Sequence, residues 1–316
     1  SQGLDVGVIP FRNALHIPSI LQVIKQIIKF KPSVLICHSG HDAVIGSLAA
    51  KLVELWCSRP KIIRMRTYQP GMPSSFPYNY LFDKTYTPSE HLRKKILSNQ
   101  HIKTDRVEVL YPGIDFSTLD DAFSPLPADL SRWLSDHPGP IICHGAMLRG
   151  EKGHEVVLKA LPQVIKHVPE LCYVMAGEGP EKEHLTLLVK ELCLENHVYF
   201  AGMVSPIAPL LKMSTLAVLP SLMEPLGMFQ IESQYLQIPT IASDVDGIPE
   251  TLIHEKTGLL VAPGDIDAWA QHMIWALTNL ELMQSWAKAG KNYVTDKFSM
   301  ANNTKELVNI INKIST

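Results

Sequence analysis

The stretch Leu216-Ala217-Val218-Leu219-Pro220-Ser221-Leu222-Met223-Glu224-Pro225-Leu226-Gly227-Met228-Phe229-Gln230-Ile231-Glu232 decides how this chain is read. Its apolar opening reads as a buried strand, and the remainder reads as a tight loop and a helix start with one carboxylate at each end. Pro225 suits a first helical turn, because its missing N–H would be unpaired there and its φ is already helical. Leu226 and Gly227 then offer backbone N–H groups at the positive end of the helix dipole, and Gly227 lets a ligand approach without meeting a Cβ. A phosphate fits such a place. Glu232 comes eight residues after Glu224, or about 12 Å if the path is helical, so the two carboxylates could hold separate parts of one extended ligand, such as a sugar joined to a nucleotide. Two glutamates at this spacing also arise by chance, so the strand, proline and glycine context carries the reading.

Outward from this stretch, strand-like runs alternate with helical ones. Residues 34–38, 61–66, 107–111, 141–144, 173–176, 198–201, 216–219, 240–243 and 259–261 read as strands, with helices near 42–55, 152–168, 181–195, 226–237 and 266–279. Short strands spaced by helices imply an α/β fold with parallel sheets covered on both faces. The polar, proline-containing segment 120–129 precedes a new strand series, which places a first domain at 1–127 and a second at 128–298. Residues 299–316 hold a final amphipathic helix suited to packing back on the first domain.

The 316 residues, 46% of them hydrophobic, are ample for two cores. No apolar run approaches a membrane span, and Ser1-Gln2-Gly3-Leu4-Asp5 lacks both the charged and the apolar part of a signal peptide, so a cytoplasmic location is expected. Cys37, Cys57, Cys143, Cys172 and Cys193 show no C-x-x-C spacing and read as reduced core residues. Residues 1–125 carry 15 Lys+Arg against 10 Asp+Glu, and the remainder 14 against 21. A basic first half suits an anionic acceptor or peripheral contact with an anionic membrane surface, the alternative being unremarkable solvated faces.

With these pieces in order, the chain resembles the family 4 glycosyltransferases of the GT-B fold. In this resemblance Gly145-Ala146-Met147-Leu148-Arg149-Gly150-Glu151-Lys152-Gly153-His154 is similar to the family's phosphate-binding loop and Gly177-Glu178-Gly179-Pro180 to its next loop. Glu224 to Glu232 resembles its E-x7-E signature, Gly247-Ile248-Pro249-Glu250 its G-x-P-E turn, and Thr257-Gly258-Leu259-Leu260-Val261 its T-G-x-L-V strand. In the first half, Ser89 reads as the cap of a following helix, and Tyr111-Pro112-Gly113-Ile114-Asp115 resembles the N-G-I-D element with Pro112 in place of Asn.

The resemblance implies two Rossmann-like domains whose parallel sheets face a cleft, and retaining, metal-independent transfer of a hexose-type sugar from a nucleoside-diphosphate sugar. It implies no cofactor, a UDP-sugar ahead of GDP- or ADP-sugars as donor, and a saccharide or lipid-linked acceptor in bacterial lipopolysaccharide or capsule synthesis. No nucleic acid is expected among its partners. Lys152 would neutralise the donor diphosphate beside Gly145, aided by Arg149, since Ala146 and Met147 stand where many relatives carry an Arg. Pro225, Leu226 and Gly227 would meet the phosphates. Glu232 would accept from ribose hydroxyls, or is simply a helix-surface acid, and Glu224 would hold the transferred sugar. Met203 and Val204 resemble the turn that contacts the base, although Met203 also reads as core. His38, or its competitor His41, would approach the sugar from the first domain. Arg64 and Arg66 share one face by the period of two and could meet an acceptor phosphate, or pair with a neighbouring helix.

Family members open with a strand and a Gly-rich loop before the strand that Val6-Gly7-Val8-Ile9-Pro10 resembles. The first domain is therefore expected to lack roughly sixty residues by usual domain sizes, and a catalytically impaired sugar-nucleotide-binding or scaffolding protein is the alternative reading. A dehydrogenase is disfavoured, for no G-x-G-x-x-G follows the first strands.

Overall fold

The computed structural model describes residues 6–10, 13, 15–38, 40–120 and 125–315. They fall into two compact units, Ser1–Tyr111 with Asn303–Thr316, and Pro112–Asn302.

The first unit holds a parallel four-stranded sheet in the order β1 (Val34–Cys37), β2 (Lys61–Met65), β3 (Lys84–Thr87), β4 (Val107–Val109). Helices α1 (Ile17–Phe30), α2 (Gly40–Val53) and α3 (Glu90–Leu97) belong to it. On one face the small side chains Ala43, Ala49 and Ala50 bring α2 against Cys37 and Ile62 of the sheet and Ile20 and Ile27 of α1. On the other, Ile63, Tyr86 and Leu110 meet Leu307, Ile310 and Ile314, one stripe of the chain's final helix, Met300–Ser315. Ser89 Oγ accepts from the Leu92 N–H at 3.3 Å and so caps α3, as its position suggests.

The second unit contains α4 (Ser117–Asp120), α5 (Ala128–Asp136), β5 (Ile141–Gly145), α6 (His154–Ile165), β6 (Cys172–Ala176), α7 (Lys182–Glu191), β7 (Val198–Gly202), α8 (Ala208–Met213), β8 (Leu216–Leu219), α9 (Phe229–Tyr235), β9 (Thr240–Ser243), β10 (Leu259–Val261), α10 (Ile266–Thr278) and α11 (Leu280–Phe298). The unit's six parallel strands run β10-β9-β8-β5-β6-β7. Counted from β5 as first, that is the doubly wound order 3-2-1-4-5-6, in which the chain reverses direction between β5 and β8. Both faces are buried: Ile142, Met175, Val218 and Ile241 pack under α6 and α10, and Cys143, Val174, Ala217 and Ala242 pack under α5 and α9.

Several readings change. Residues 6–10 form no strand, and Val6 and Val8 are exposed. The helix expected from 226 begins at Phe229, because Gly227 takes a left-handed φ of 86° that no helix tolerates. Helices α1, α4, α5, α8 and α11 and strand β3 were not anticipated. The units divide before residue 112 and not at 127, because Ile114 N donates to Phe298 O at 2.8 Å and Phe116 stacks on Tyr235 at 4.3 Å, which ties residues 112–120 to the second unit. Cys37, Cys143 and Cys172 are buried, whereas Cys193 is exposed at a left-handed turn with φ 55° and is no core residue.

Candidate active site

In a doubly wound sheet the crevice for a ligand lies beyond the strand ends where the winding reverses, here β5 and β8. The loops after these two strands are the two the sequence singles out. Leaving β5, the chain passes through Ala146–Arg149 and one 3-10 turn, Gly150–Lys152, before Gly153 turns it into α6. Gly153 has φ 70°, and a Cβ there would lie 1.9 Å from Pro220 O, so the loop after β5 rests directly on the end of β8. Leu222 N adds a 2.8 Å bond to Glu151 O.

The next loop is locked on from the other side. A Cβ on Gly177 would come within 1.9 Å of Ala146 O, and one on Gly179 within 2.2 Å of Leu148 O. Backbone bonds from Ala146 N to Ala176 O and from Leu148 N to Glu178 O complete the seam. Below it, His144 and His154 stack with centroids 3.8 Å apart, and His144 Nδ1 lies 2.8 Å from Tyr173 Oη. His154 Nε2 lies 3.3 Å from Met147 O. Burial pushes both imidazoles below their ordinary range, His154 to about 4, so both are neutral props of the loop.

A cavity of about 500 Å³ opens against these loops, its lining including Gly145, Gly177, Met203, Val204, Phe229 and Glu232. Gly145 is required because a Cβ would meet the Phe229 ring at 2.5 Å. Met203 is 78% exposed, which removes its reading as core. Glu232 sits half-buried on α9, and burial raises its carboxyl above the ordinary range.

Glu224 lies elsewhere. Its Oε2 is 2.5 Å from Lys152 Nζ and 3.4 Å from Ser221 Oγ, and the residue is 8% exposed. Its backbone is held by the G-x-P-E turn: Glu224 N donates to Asp246 Oδ2, Gly247 N donates to Glu224 O, and a Cβ on Gly247 would lie 2.0 Å from Pro225 O. Pro225, Leu226 and Gly227 therefore lie in a loop and not in a first helical turn. The N–H groups of Leu226 and Gly227 have no hydrogen-bond partner among the described residues. The two carboxylates of the Glu224 to Glu232 stretch thus stand on different elements, and the spacing along one helix does not apply.

Arg149 is half-exposed, with Nη1 3.9 Å from Glu151 Oε1. In the first unit His38 is exposed beyond β1, its N–H donating to Asp42 Oδ2. Arg64 is buried over the rings of Phe82 and Tyr78, and Arg66 Nη2 donates to Gln69 Oε1. The alternative for these arginines, an ion pair with a neighbouring helix, is not seen among the described residues: their partners are the Phe82 ring, the ring and hydroxyl of Tyr78 on the short helix Pro77–Leu81, and the Gln69 amide. Phe229, Ser221, Asp246 and the two histidines were missed as parts of the site. Ser221, Phe229 and His154 stood inside quoted motifs without a role, and Asp246 stood next to the Gly247 turn. Among the described residues no group of three or more His, Cys, Asp or Glu is arranged to hold a metal.

The family profile described as glycosyl transferases group 1 matches residues 128–293, which include every loop of this crevice. The chain belongs to that family. An uncharacterised glycosyltransferase of Methanocaldococcus jannaschii is 29% identical over 230 residues, covering 71% of this chain and 58% of the relative, so the chain spans less than two thirds of that protein. A glycosyltransferase from Rickettsia africae superposes with a TM-score of 0.80 at 23% identity, covering 96% of this chain and 84% of the other. HepE of Anabaena, solved in complex with UDP, gives 0.80 at 17% identity with the same coverages. The fold is that of the GT-B glycosyltransferases, two Rossmann-like units with parallel sheets. No helix among the described residues is long and apolar enough to cross a membrane.

Proposed function

We propose that this group 1 family member is a retaining, metal-independent family 4 glycosyltransferase that moves a hexose-type sugar from a nucleoside-diphosphate sugar to a saccharide or lipid-linked acceptor in bacterial surface polysaccharide synthesis. The observation that carries the proposal is the coincidence of the reversal point between β5 and β8 with a cavity of about 500 Å³ and a part-buried Lys152–Glu224 pair that joins the loops leaving those two strands. A parallel sheet presents ligands there, and a nucleotide fits a cavity of that size.

The residues divide the work by their chemistry. Met203 and Val204 offer apolar surface and backbone groups to the base. Glu232 accepts from the ribose hydroxyls, its ionised form stabilised by the two donors it gains. The cation of Lys152 and the N–H groups of Leu226 and Gly227 take the diphosphate, with Arg149 reaching it from the loop surface. A bound diphosphate competes with Glu224 for Lys152, which frees a Glu224 oxygen for the sugar hydroxyls. Catalysis is then positioning and charge stabilisation of the leaving diphosphate. UDP is the favoured nucleotide, a reading supported by HepE, which was solved with UDP and with UDP-glucose. The protein works in the cytoplasm, peripheral to the membrane through the basic charge of its first half.

Thermal-shift titration with UDP, GDP, ADP and their glucose conjugates tests this directly. A rise in midpoint with UDP that Lys152→Met abolishes is expected; a midpoint unmoved by every nucleotide refutes the donor site. Release of UDP from UDP-glucose in the presence of an acceptor separates transfer from binding alone.

A further inference from the structure

Most of the first unit's partly buried cations are neutralised in place. Arg59 grips Asp83 with two bonds of 2.8 and 2.9 Å, Arg93 donates to Glu90 at 2.8 Å, and Lys84 pairs with Glu108. Arg106 stands alone and donates to Asp83 O at 3.0 Å. Arg64 and Arg66 differ from all of these in lying side by side. Arg64, at the end of β2 and 7% exposed, lies with its guanidinium 4.8 Å from the Phe82 ring centroid and 5.5 Å from that of Tyr78. Arg66 extends the strand ladder through its N–H to Tyr86 O, so both side chains leave the same face of the sheet. Its Nη2 donates to Gln69 Oε1, which also accepts from Tyr78 Oη at 2.9 Å. Both Nε atoms are buried without a partner, and neither guanidinium has a carboxylate within 4.0 Å among the described residues.

Every immediate support of the two cations is thus neutral. Burying one cation costs several kcal/mol even after relaxation, by order of magnitude, and a second like charge beside it adds to that. Burial first, and then Arg66, hold Arg64 below the ordinary arginine range, with Asp42 as the carboxylate that partly offsets them from the first turn of α2. Arg66 Nη1 lies 3.9 Å from the place of a Cβ on Gly40, the first residue of α2, so the positive end of a 14-residue helix points into the same corner. Rings, the Tyr78 hydroxyl and an amide, all neutral, fix the two forks in orientation without spending their charge. Stability alone does not favour such a corner, whereas an anionic ligand does.

We propose that Arg64 and Arg66, with the start of α2, form a subsite for a phospho-oxyanion, a phosphate or pyrophosphate group carried by the acceptor. The proposal rests on the transferase reading for the word acceptor, and on the arginines alone for the anion. It places the discrimination between phosphorylated and neutral acceptors in the first unit.

Isothermal titration of the full chain with inorganic pyrophosphate tests it. Lys152→Gln weakens the donor-side site, so the part of the remaining binding that is lost with Arg66 belongs to the new subsite. Adding Arg66→Gln is expected to weaken that remainder at least tenfold, a loss of about 1.4 kcal/mol, with partial recovery in Arg66→Lys and a decline as salt rises. Without ligand, Arg66→Gln is expected to hold or raise the thermal midpoint, since it relieves like-charge repulsion; a purely structural arginine would lower it. Phosphatidylcholine vesicles with and without phosphatidic acid separate the sources: binding that requires Arg66 assigns a lipid-borne phosphate, and none assigns a soluble one. Pyrophosphate affinity unchanged in folded Arg66→Gln and Arg64→Gln overturns the subsite. If pyrophosphate binding depends on Arg66 while no sugar is transferred, the subsite stands and the transferase reading fails; if transfer persists with unchanged acceptor KM in Arg66→Gln, the reverse holds.

Discussion

Replacing Lys152 by Met keeps most of the side-chain length and removes the cation that faces Glu224. Glu224 is 8% exposed, its Oε2 2.5 Å from Lys152 Nζ, with Ser221 Oγ at 3.4 Å as a weak second partner. Breaking a fully buried pair from one side costs about 3–5 kcal/mol, because the surviving charge is left desolvated and unpaired. Here Lys152 keeps 23% of its side chain exposed and Glu224 11%, so solvent relieves part of the cost and about 2–3 kcal/mol is expected. At about 2–4 °C per kcal/mol for a unit of this size, Pro112–Asn302 should melt roughly 4–12 °C lower. Glu224→Gln in the same background should recover most of that, since a neutral amide no longer needs the cation.

The assay is a double-mutant cycle by urea unfolding, with UDP titrated into each folded variant. Lys152→Met should weaken UDP by about 10- to 150-fold, the value of a charged hydrogen bond of about 1.5–3 kcal/mol. Glu224→Gln should bind UDP at least as tightly as the parent, since it no longer competes for the Lys152 cation, and should lower transfer instead. If the two single losses add to the double loss within about 0.5 kcal/mol, the groups do not interact, and a diphosphate then has no Lys152–Glu224 pair to release.

Three further outcomes are expected from the same geometry. Gly177→Ala forces a Cβ to within 1.9 Å of Ala146 O, so a loss of about 1–3 kcal/mol together with weaker UDP binding is expected; equal UDP affinity would show the seam to be dispensable. Burial raises the Glu232 carboxyl, so the folded state holds that proton more tightly than the unfolded chain, and stability falls as pH rises from the ordinary carboxylate range through the raised one. Glu232→Gln should therefore match the parent in acid, exceed it at neutral pH, and bind UDP more weakly, as paired pH-dependent melts and titrations would show. His154 runs the other way: its folded pKa of about 4 lies below the ordinary 6.5, so the unfolded chain binds more protons between those values. Stability should drop as pH falls through that window, by up to about 1.4 kcal/mol per pH unit for this group. A His154→Phe variant, which keeps the stack on His144, should have a shallower acid limb; an unchanged limb would count against the buried neutral pair.

What the sequence disclosed about the site depended on how local the physics was. The glycines at 145, 153, 177 and 247 were legible as a set because each answers a single demand, room for a carbonyl or a ring at under 3 Å, and no other residue meets it. The alternation of strands and helices was legible for the same reason, since period and run length are local. Strand order was not, because the reversal between β5 and β8 is a matter of which distant segments pair. Nor was the His144–His154 stack, whose members stand on a strand and a helix joined by a loop whose path the motif does not state.

The most instructive misreading is the helix start at Pro225. Proline's φ suits a first helical turn and an extended loop equally well, so it cannot choose between them. Gly227 chose: at φ 86° it breaks the path, and Gln230 Nε2 then donates back to Leu226 O across the gap at 2.8 Å. That break moves Glu224 off the helix that carries Glu232. One carboxylate answers to Lys152 and to the Gly247 turn, the other to the cavity beside Met203. Two residues on one rigid helix would change together when that helix shifts. Two residues on separate supports can be perturbed apart, which is why loss of transfer at position 224 and loss of nucleotide affinity at position 232 are expected as distinct phenotypes.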